Sequence, residues 1–323
     1  MQPLIVCRIT PEAQGVVSLL LRDKDGANLP AYEPGAHIDV DLGNGMTRQY
    51  SLCGDPAQCD EYRLGVGLAV DSRGGSRRIH DTLREGDTLH VGAPRQLFGL
   101  HAQATSHVFI AGGIGITPFL GMILACERRK EPWTLLYCAR GRAHAAFLHE
   151  LAEYGDRVTL HMDDERAARC DAPSYVEKVA RPGSHVYCCG PSSLMDAVGQ
   201  ACVQLGIAPS NFHTERFSAS PTPTPTPVPG PAQPGADAFT VVLAKSGGRY
   251  VVPAGKSLLE VLEEAGIAWP SSCREGLCGS CEAPVLSGAV DHRDYVLSDA
   301  QRAEHRCMMV CVSRAAGTVE LDI

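Results

Sequence analysis

Over the first hundred residues, apolar positions come in short runs that alternate in part with polar ones, the period of half-buried strands rather than of helices. Val16-Val17-Ser18-Leu19-Leu20-Leu21, His37-Ile38-Asp39-Val40-Asp41-Leu42 and Tyr62-Arg63-Leu64-Gly65-Val66 are three such runs, separated by turn residues. Gly43-Asn44-Gly45 is a hairpin signal after the second. Many short strands at this spacing predict an antiparallel β-barrel. From about residue 104 strands and helices alternate, which predicts an α/β unit. Its strands are Val108–Ala111, Thr134–Ala139, 158–162 and His185–Cys189. One helix opens with Thr117 as N-cap and Pro118 as its first residue, and has Arg128-Arg129-Lys130 at its far end. Another shows Leu194, Val198, Cys202 and Leu205 on one face and stops at Gly206. A third pattern begins near 237. It has strands at Phe239–Leu243 and Arg249–Val252, a helix from Ser257 with Glu260 completing a capping box, and an alternating end, Val319–Ile323, expected to close an α+β sheet.

Between the second and third patterns, residues 218–236 carry seven prolines, several in Pro-Thr repeats, and no apolar period. This reads as a linker; in polyproline II it would span up to roughly 60 Å. The expected organisation is therefore multidomain, with a barrel at 1–102, an α/β domain at 103–217, the linker at 218–236 and an α+β domain at 237–323.

Composition narrows the function classes. The chain has 323 residues and a formal net charge of −8, which argues against nucleic acid as a general partner, since a phosphate backbone is bound by basic patches. No apolar run follows a basic start and no stretch of 18 apolar residues exists, so neither secretion nor membrane spanning is indicated and a cytoplasmic monomer is expected. Of fourteen cysteines, ten are scattered through apolar contexts and read as reduced, mostly buried thiols.

The other four carry chemistry. Cys273, Cys278 and Cys281 stand at C-x4-C-x2-C spacing, with Cys311 thirty positions on, the plant-type arrangement for a [2Fe-2S] cluster. Gly276 and Gly279 allow sharp turns between the thiols, and amides there can approach sulfur. A structural zinc site would show paired CxxC knuckles, and only one CxxC is present. Cys307 competes with Cys311 as fourth ligand.

In the barrel, Arg48-Gln49-Tyr50-Ser51-Leu52 places a cation, an aromatic ring and a hydroxyl together, suited to a flat anionic ligand, although such residues are also ordinary strand furniture. Arg73-Gly74-Gly75-Ser76-Arg77-Arg78 precedes a short helix; its glycines admit a phosphate to the amides and Ser76 can cap the helix. A flexible basic loop is the plain alternative, and the two features together favour a flavin phosphate. In the α/β domain, Gly112-Gly113-Ile114-Gly115-Ile116-Thr117-Pro118 joins a strand to a helix N-terminus as a pyrophosphate cradle, without the G-x-G-x-x-G fingerprint. Arg140 ends the next strand, where open α/β sheets bind ligands, and Cys189-Gly190-Pro191 ends another.

In this order along the chain, Arg48–Leu52, Gly74-Gly75-Ser76, Gly112–Pro118, Cys189-Gly190-Pro191, Glu215-Arg216-Phe217 and the four cysteines make the sequence resemble the phthalate dioxygenase reductase and vanillate O-demethylase reductase family across nearly its full length. The resemblance implies an FMN-binding barrel, an NADH-binding α/β domain, a plant-type ferredoxin domain and a separate oxygenase as electron acceptor. It implies Cys311 as the fourth cluster ligand. It implies that Arg48, Tyr50 and Ser51 contact the isoalloxazine and ribityl chain and that Gly74, Gly75 and Ser76 hold the FMN phosphate. Gly113, Gly115 and Thr117 would line the nucleotide site, with Cys189 and Phe217 near the nicotinamide. No acid or base is required for hydride transfer. The Pro-Thr linker departs from the family pattern. FAD with NADPH, serving a P450, is the alternative; no stacking aromatic for an adenosine is identifiable, and Asp163-Asp164 disfavours a 2′-phosphate. A redox sensor would have no need of a nucleotide domain.

Overall fold

The computed structural model describes residues 1–69, 74–166, 169–217 and 238–323, so the linker reading and Arg73 lie outside the described residues. Two compact units are present, Met1–Glu215 and Arg216–Ile323.

The first unit begins with six antiparallel strands: β1 (Gln2–Ala13), β2 (Val16–Arg22), β3 (His37–Asp41), β4 (Thr47–Ser51), β5 (Tyr62–Gly67) and β6 (Thr88–Val91). They lie in the order β4-β3-β6-β1-β2-β5. A bridge between Leu52 and Leu64 joins the two outer strands, which closes the barrel and removes its edges. Alternate side chains fill the interior, among them Leu4, Val6, Leu19, Leu21, Ile38, Val40, Leu64 and Val66. Asn44 and Gly45 both take positive φ in the β3–β4 hairpin, as the turn residues predict. Helix α1 (Gly75–Thr82) plugs one end of the barrel with Ile79.

The same unit continues as a five-stranded parallel sheet of β7 (Ser106–Gly112), β8 (Trp133–Ala139), β9 (Val158–Met162), β10 (Ser184–Cys189) and β11 (Phe212–Glu215), in the order β11-β10-β7-β8-β9. Both faces are covered, as parallel sheets require. Phe109, Leu135 and Tyr187 pack on one side against Phe119 and Ile123 of α2 (Thr117–Arg129). Short helices α3 (Leu148–Leu151) and α4 (Asp163–Arg166) lie in the connections flanking β9. Val108, Ile110 and Val186 pack on the other face against α5 (Ala172–Val179) and α6 (Ser192–Gln204).

Two local expectations are corrected. Thr117 is the first residue of α2, not its N-cap: a 3-10 turn over Gly113–Ile116 feeds directly into the helix, and the Thr117 hydroxyl donates back to Ile114 O at 3.0 Å. The inward face of α6 is Met195, Val198, Ala201 and Cys202, while Leu205 is the C-cap and 41% exposed.

The second unit holds β12 (Phe239–Leu243), β13 (Arg249–Val252), β14 (Glu282–Asp291), β15 (Cys307–Met309) and β16 (Arg314–Leu321), in the order β13-β12-β16-β14-β15. The alternating C-terminal run does not close an edge but forms the central strand, parallel to β12 and antiparallel to β14. Helix α7 (Leu258–Glu264) starts at the predicted capping box and buries Leu258, Leu259 and Leu262 on this sheet. Gly266 ends it with φ 74°. Helix α8 (Asp299–Glu304) starts at a second capping box, Ser298 with Gln301.

Candidate redox site

Alternation along β4 sends Arg48 and Tyr50 to one face and Ser51 to the other, so the predicted trio is split. Arg48 does reach the glycine turn: a Cβ on Gly75 would stand 2.7 Å from Arg48 Cγ and 3.0 Å from its Nε, so only glycine lets the guanidinium stem lie there. Gly74, at φ 94°, is the N-cap of α1. Ser76 falls inside the first turn, and its hydroxyl accepts from Ala69 N at 3.2 Å rather than capping the helix. Arg48, Gly74, Gly75 and a helix N-terminus therefore converge on one anion-suited corner. Burial pushes the half-buried Tyr50 phenol up to about 12, against the opposing pull of Arg48, so it stays neutral. Leu52 is fully buried in the barrel core, which leaves only its backbone for a ligand.

At the C-terminal ends of β7 and β10, two loops pack backbone on backbone. A Cβ on Gly115 would lie 2.5 Å from the Cys189 carbonyl carbon and 2.9 Å from Gly190 N; one on Gly112 would lie 2.6 Å from Pro191 Cδ. Gly113 carries φ 57°. Thr117 abuts Gly65 of β5, which joins this turn to the barrel. Arg140 is exposed at the end of β8, its carbonyl accepting from Asp164 N at 3.1 Å. It shares the sheet edge with the glycine turn but sits one strand over from it.

Ser51, on the second face of β4, donates to Glu215 Oε2 at 3.3 Å, and Glu215 pairs in register with Cys189. Barrel and parallel sheet thus meet through Ser51, Thr117, Cys189 and Glu215. Burial pushes the Glu215 carboxyl up to about 8, with the Ser51 hydroxyl opposing. The buried Cys189 thiol is also held well above its ordinary value, by burial first and then by Glu215. Both groups keep their protons at neutral pH. Glu215 was named in sequence only within Glu215-Arg216-Phe217 and given no role there; its signal was that motif, and the structure places it as the last residue of β11. Phe217 is 44% exposed and belongs to none of these contacts.

In the second unit the four predicted thiols converge. Cys281 and Cys311 Sγ stand 3.1 Å apart. Cys273 Sγ accepts from the amides of Glu275 at 3.3 Å and Leu277 at 3.4 Å, and Cys278 Sγ lies 3.3 Å from Ser280 Oγ. Arg274, Gly276 and Gly279 take positive φ and wrap the chain between the sulfurs. A Cβ on Gly276 would meet Val312 Cγ2 at 2.6 Å and Asp294 Cα at 3.0 Å. Cys307 pairs with Pro284 across β14–β15 and meets the Glu282 carboxylate instead. Soft thiolates, amides aimed at sulfur and a tight glycine wrap fit a [2Fe-2S] cluster.

Comparison with known proteins agrees with this geometry. Residues 241–316 match the 2Fe-2S iron-sulfur cluster binding domain family. Residues 93–212 match the N-terminal domain of dimethylamine monooxygenase subunit DmmA-like proteins. The chain is 44% identical over 321 residues to phenoxybenzoate dioxygenase subunit beta of Ectopseudomonas oleovorans, covering 98% of this chain and 96% of that protein. It is similar to the structure of phthalate dioxygenase reductase, with TM-score 0.72, 37% identity, and 99% and 97% of the two chains covered. An intact type IV self-sufficient cytochrome P450 monooxygenase gives TM-score 0.88 and 38% identity over all of this chain, which spans 41% of that one. By these relationships the chain belongs to the phthalate dioxygenase reductase family, the reductase components of oxygenase systems.

Proposed function

We propose that this chain oxidises NADH at the seam between barrel and parallel sheet and delivers single electrons to a separate Rieske-type aromatic dioxygenase or O-demethylase. Bound FMN would supply the conversion of a two-electron hydride into single electrons, and a [2Fe-2S] cluster their outlet. Arg48 and the amides after Gly74 hold the flavin phosphate, and Tyr50 and Ser51 flank its ring system. Gly113, Gly115 and Thr117 line the nucleotide site, Arg140 and Gly190-Pro191 border it, and Asp163 with Asp164 at the end of β9 favours NADH over NADPH. Cys189 and Glu215, both uncharged, give the nicotinamide a surface without a competing carboxylate; neither has to move a proton. Residues 1–102 are then the FMN domain, 103–217 the NADH domain and 237–323 the ferredoxin domain of a cytoplasmic monomer.

The observation that carries this reading is the 3.3 Å Ser51–Glu215 contact, which brings the flavin-type strand to the tips of the nucleotide-type strands. The likeness to a self-sufficient P450 favours a second acceptor, a P450 haem domain. The test is anaerobic NADH and NADPH oxidation by the purified holoprotein, with the released flavin identified and both acceptor types supplied. FMN, a strong NADH preference and reduction of the Rieske oxygenase support the proposal; FAD with NADPH, or reduction of the P450 alone, refutes it.

A further inference from the structure

We propose that His107, Cys126 and Glu131 form a zinc site at the end of the parallel sheet opposite the nucleotide loops. His107 stands at the start of β7, and five residues of strand, about 16 Å, separate it from Gly112. The three side chains come from one helix-turn-strand closure. Cys126 is in the last turn of α2; Lys130 reverses the chain at φ 55°, and Glu131 N donates to Cys126 O at 2.9 Å. His107 N donates to Pro132 O at 2.9 Å, which ties the strand start to the same turn.

The donor atoms of the three residues lie within 4.8 Å of one another. His107 Nε2 and Glu131 Oε2 are 3.3 Å apart. A tetrahedral zinc with bonds of ~2.0–2.1 Å would hold a nitrogen and an oxygen about 3.3 Å apart, so this pair is already at ligand spacing. Cys126 is 0% and His107 1% exposed. Beyond that ion-pair approach, Glu131 Oε2 has no hydrogen-bond partner among the described residues, an unusual condition for a buried polar atom. The His107 ring is stacked 6.0 Å from Phe109 and packs at a tilt 5.7 Å from Tyr187. The Glu131 side chain is 30% exposed, which leaves an entry path and room for water as a fourth ligand.

One thiolate, one imidazole and one carboxylate are a zinc-type donor set; calcium and magnesium prefer oxygen alone. Binding replaces the Cys126 thiol proton, which leaves to solvent, and forms Zn–S, Zn–N and Zn–O bonds without change of oxidation state. The two anionic ligands cancel the charge of the ion, so the buried assembly is neutral. Arg129 and His101 face His107 and act against the cation, while the Glu131 carboxylate acts for it. The consequence is a staple between α2 and β7 beneath the nucleotide site.

The test uses the full-length holoprotein, dialysed with zinc and freed of loose metal, followed by metal analysis and zinc K-edge X-ray absorption. About one zinc per chain is expected, with one sulfur at ~2.3 Å and nitrogen or oxygen at ~2.0 Å. Glu131→Gln, at a partly exposed position, and Cys126→Val should each lose zinc retention by more than the roughly 10–100-fold that loss of an outer-shell partner costs, with iron content unchanged. Zinc should raise the melting temperature of the wild type and not of Glu131→Gln. A four-sulfur shell, which would place zinc at the cluster loop, no retained zinc, or full retention in Glu131→Gln overturns the proposal.

Discussion

Replacing Glu215 with Gln tests the seam most sharply. Burial raises the Glu215 carboxyl from 4.5 to about 8, so between those values the folded protein binds a proton that the unfolded chain has released. Stability therefore falls as pH rises through this window, because folding must either keep the proton or bury a carboxylate. At 1.36 kcal/mol per pKa unit, the loss between about pH 5.5 and 8.5 is roughly 3 kcal/mol. Glutamine keeps the shape and the hydrogen bond to Ser51 but cannot ionise. The chain has two tryptophans, so Trp269→Phe leaves the buried Trp133 as reporter of the first unit. Urea unfolding of that background, with and without Glu215→Gln, isolates Glu215 from every other titrating group. The midpoint difference should grow by on the order of 1–2 M in favour of Gln as pH rises from about 5.5 to 8.5. A difference that stays constant across this range would refute the buried, protonated carboxyl.

Serine at Cys273, Cys278, Cys281 or Cys311 should abolish cluster iron, whereas Cys307→Ser should retain it, as read by iron content and visible absorption; the reverse pattern at Cys307 and Cys311 would reject the ligand set. Gly115→Ala drives a Cβ into the Cys189 carbonyl, a backbone obstacle, and should destabilise the first unit by ~1–3 kcal/mol in thermal unfolding and weaken NADH binding. A chain ending at Phe217 contains the whole first compact unit. It should keep its flavin and reduce ferricyanide with NADH while failing to reduce cytochrome c efficiently; a folded, flavin-loaded form unable to oxidise NADH would make the second unit part of the hydride site.

Features set by local chain chemistry were legible in sequence. The Cys273–Cys281 loop, the capping box of Ser257 and Glu260, and the Gly43-Asn44-Gly45 hairpin each act within a few residues, and each stands where its motif places it. Strand β1 was missed because its register shifts between Val6 and Arg8 and again between Pro11 and Ala13, which breaks the period of two. Strand β6 is four residues long with two buried, too short for a pattern. Thr117 and Ser76 were misplaced by one and two residues: both carry capping side chains, but a 3-10 entry and a glycine N-cap set the actual helix starts. Glu215 stood in a recognised motif but its role as a site residue was not legible, for a different reason. Its environment comes from Ser51, 164 positions away, and from pairing with Cys189, neither of which any local pattern encodes.

In the proposed function, NADH oxidation at the first unit feeds the four-cysteine centre of the second. Rapid mixing of anaerobic holoprotein with NADH, freeze-quenched for electron paramagnetic resonance, observes this transfer itself. The signal of a reduced [2Fe-2S] cluster should arise within the catalytic turnover time, be lost in Cys278→Ser, and rise much more slowly with NADPH. A flavin fully reduced by NADH beside a cluster that remains oxidised over many turnovers would contradict it.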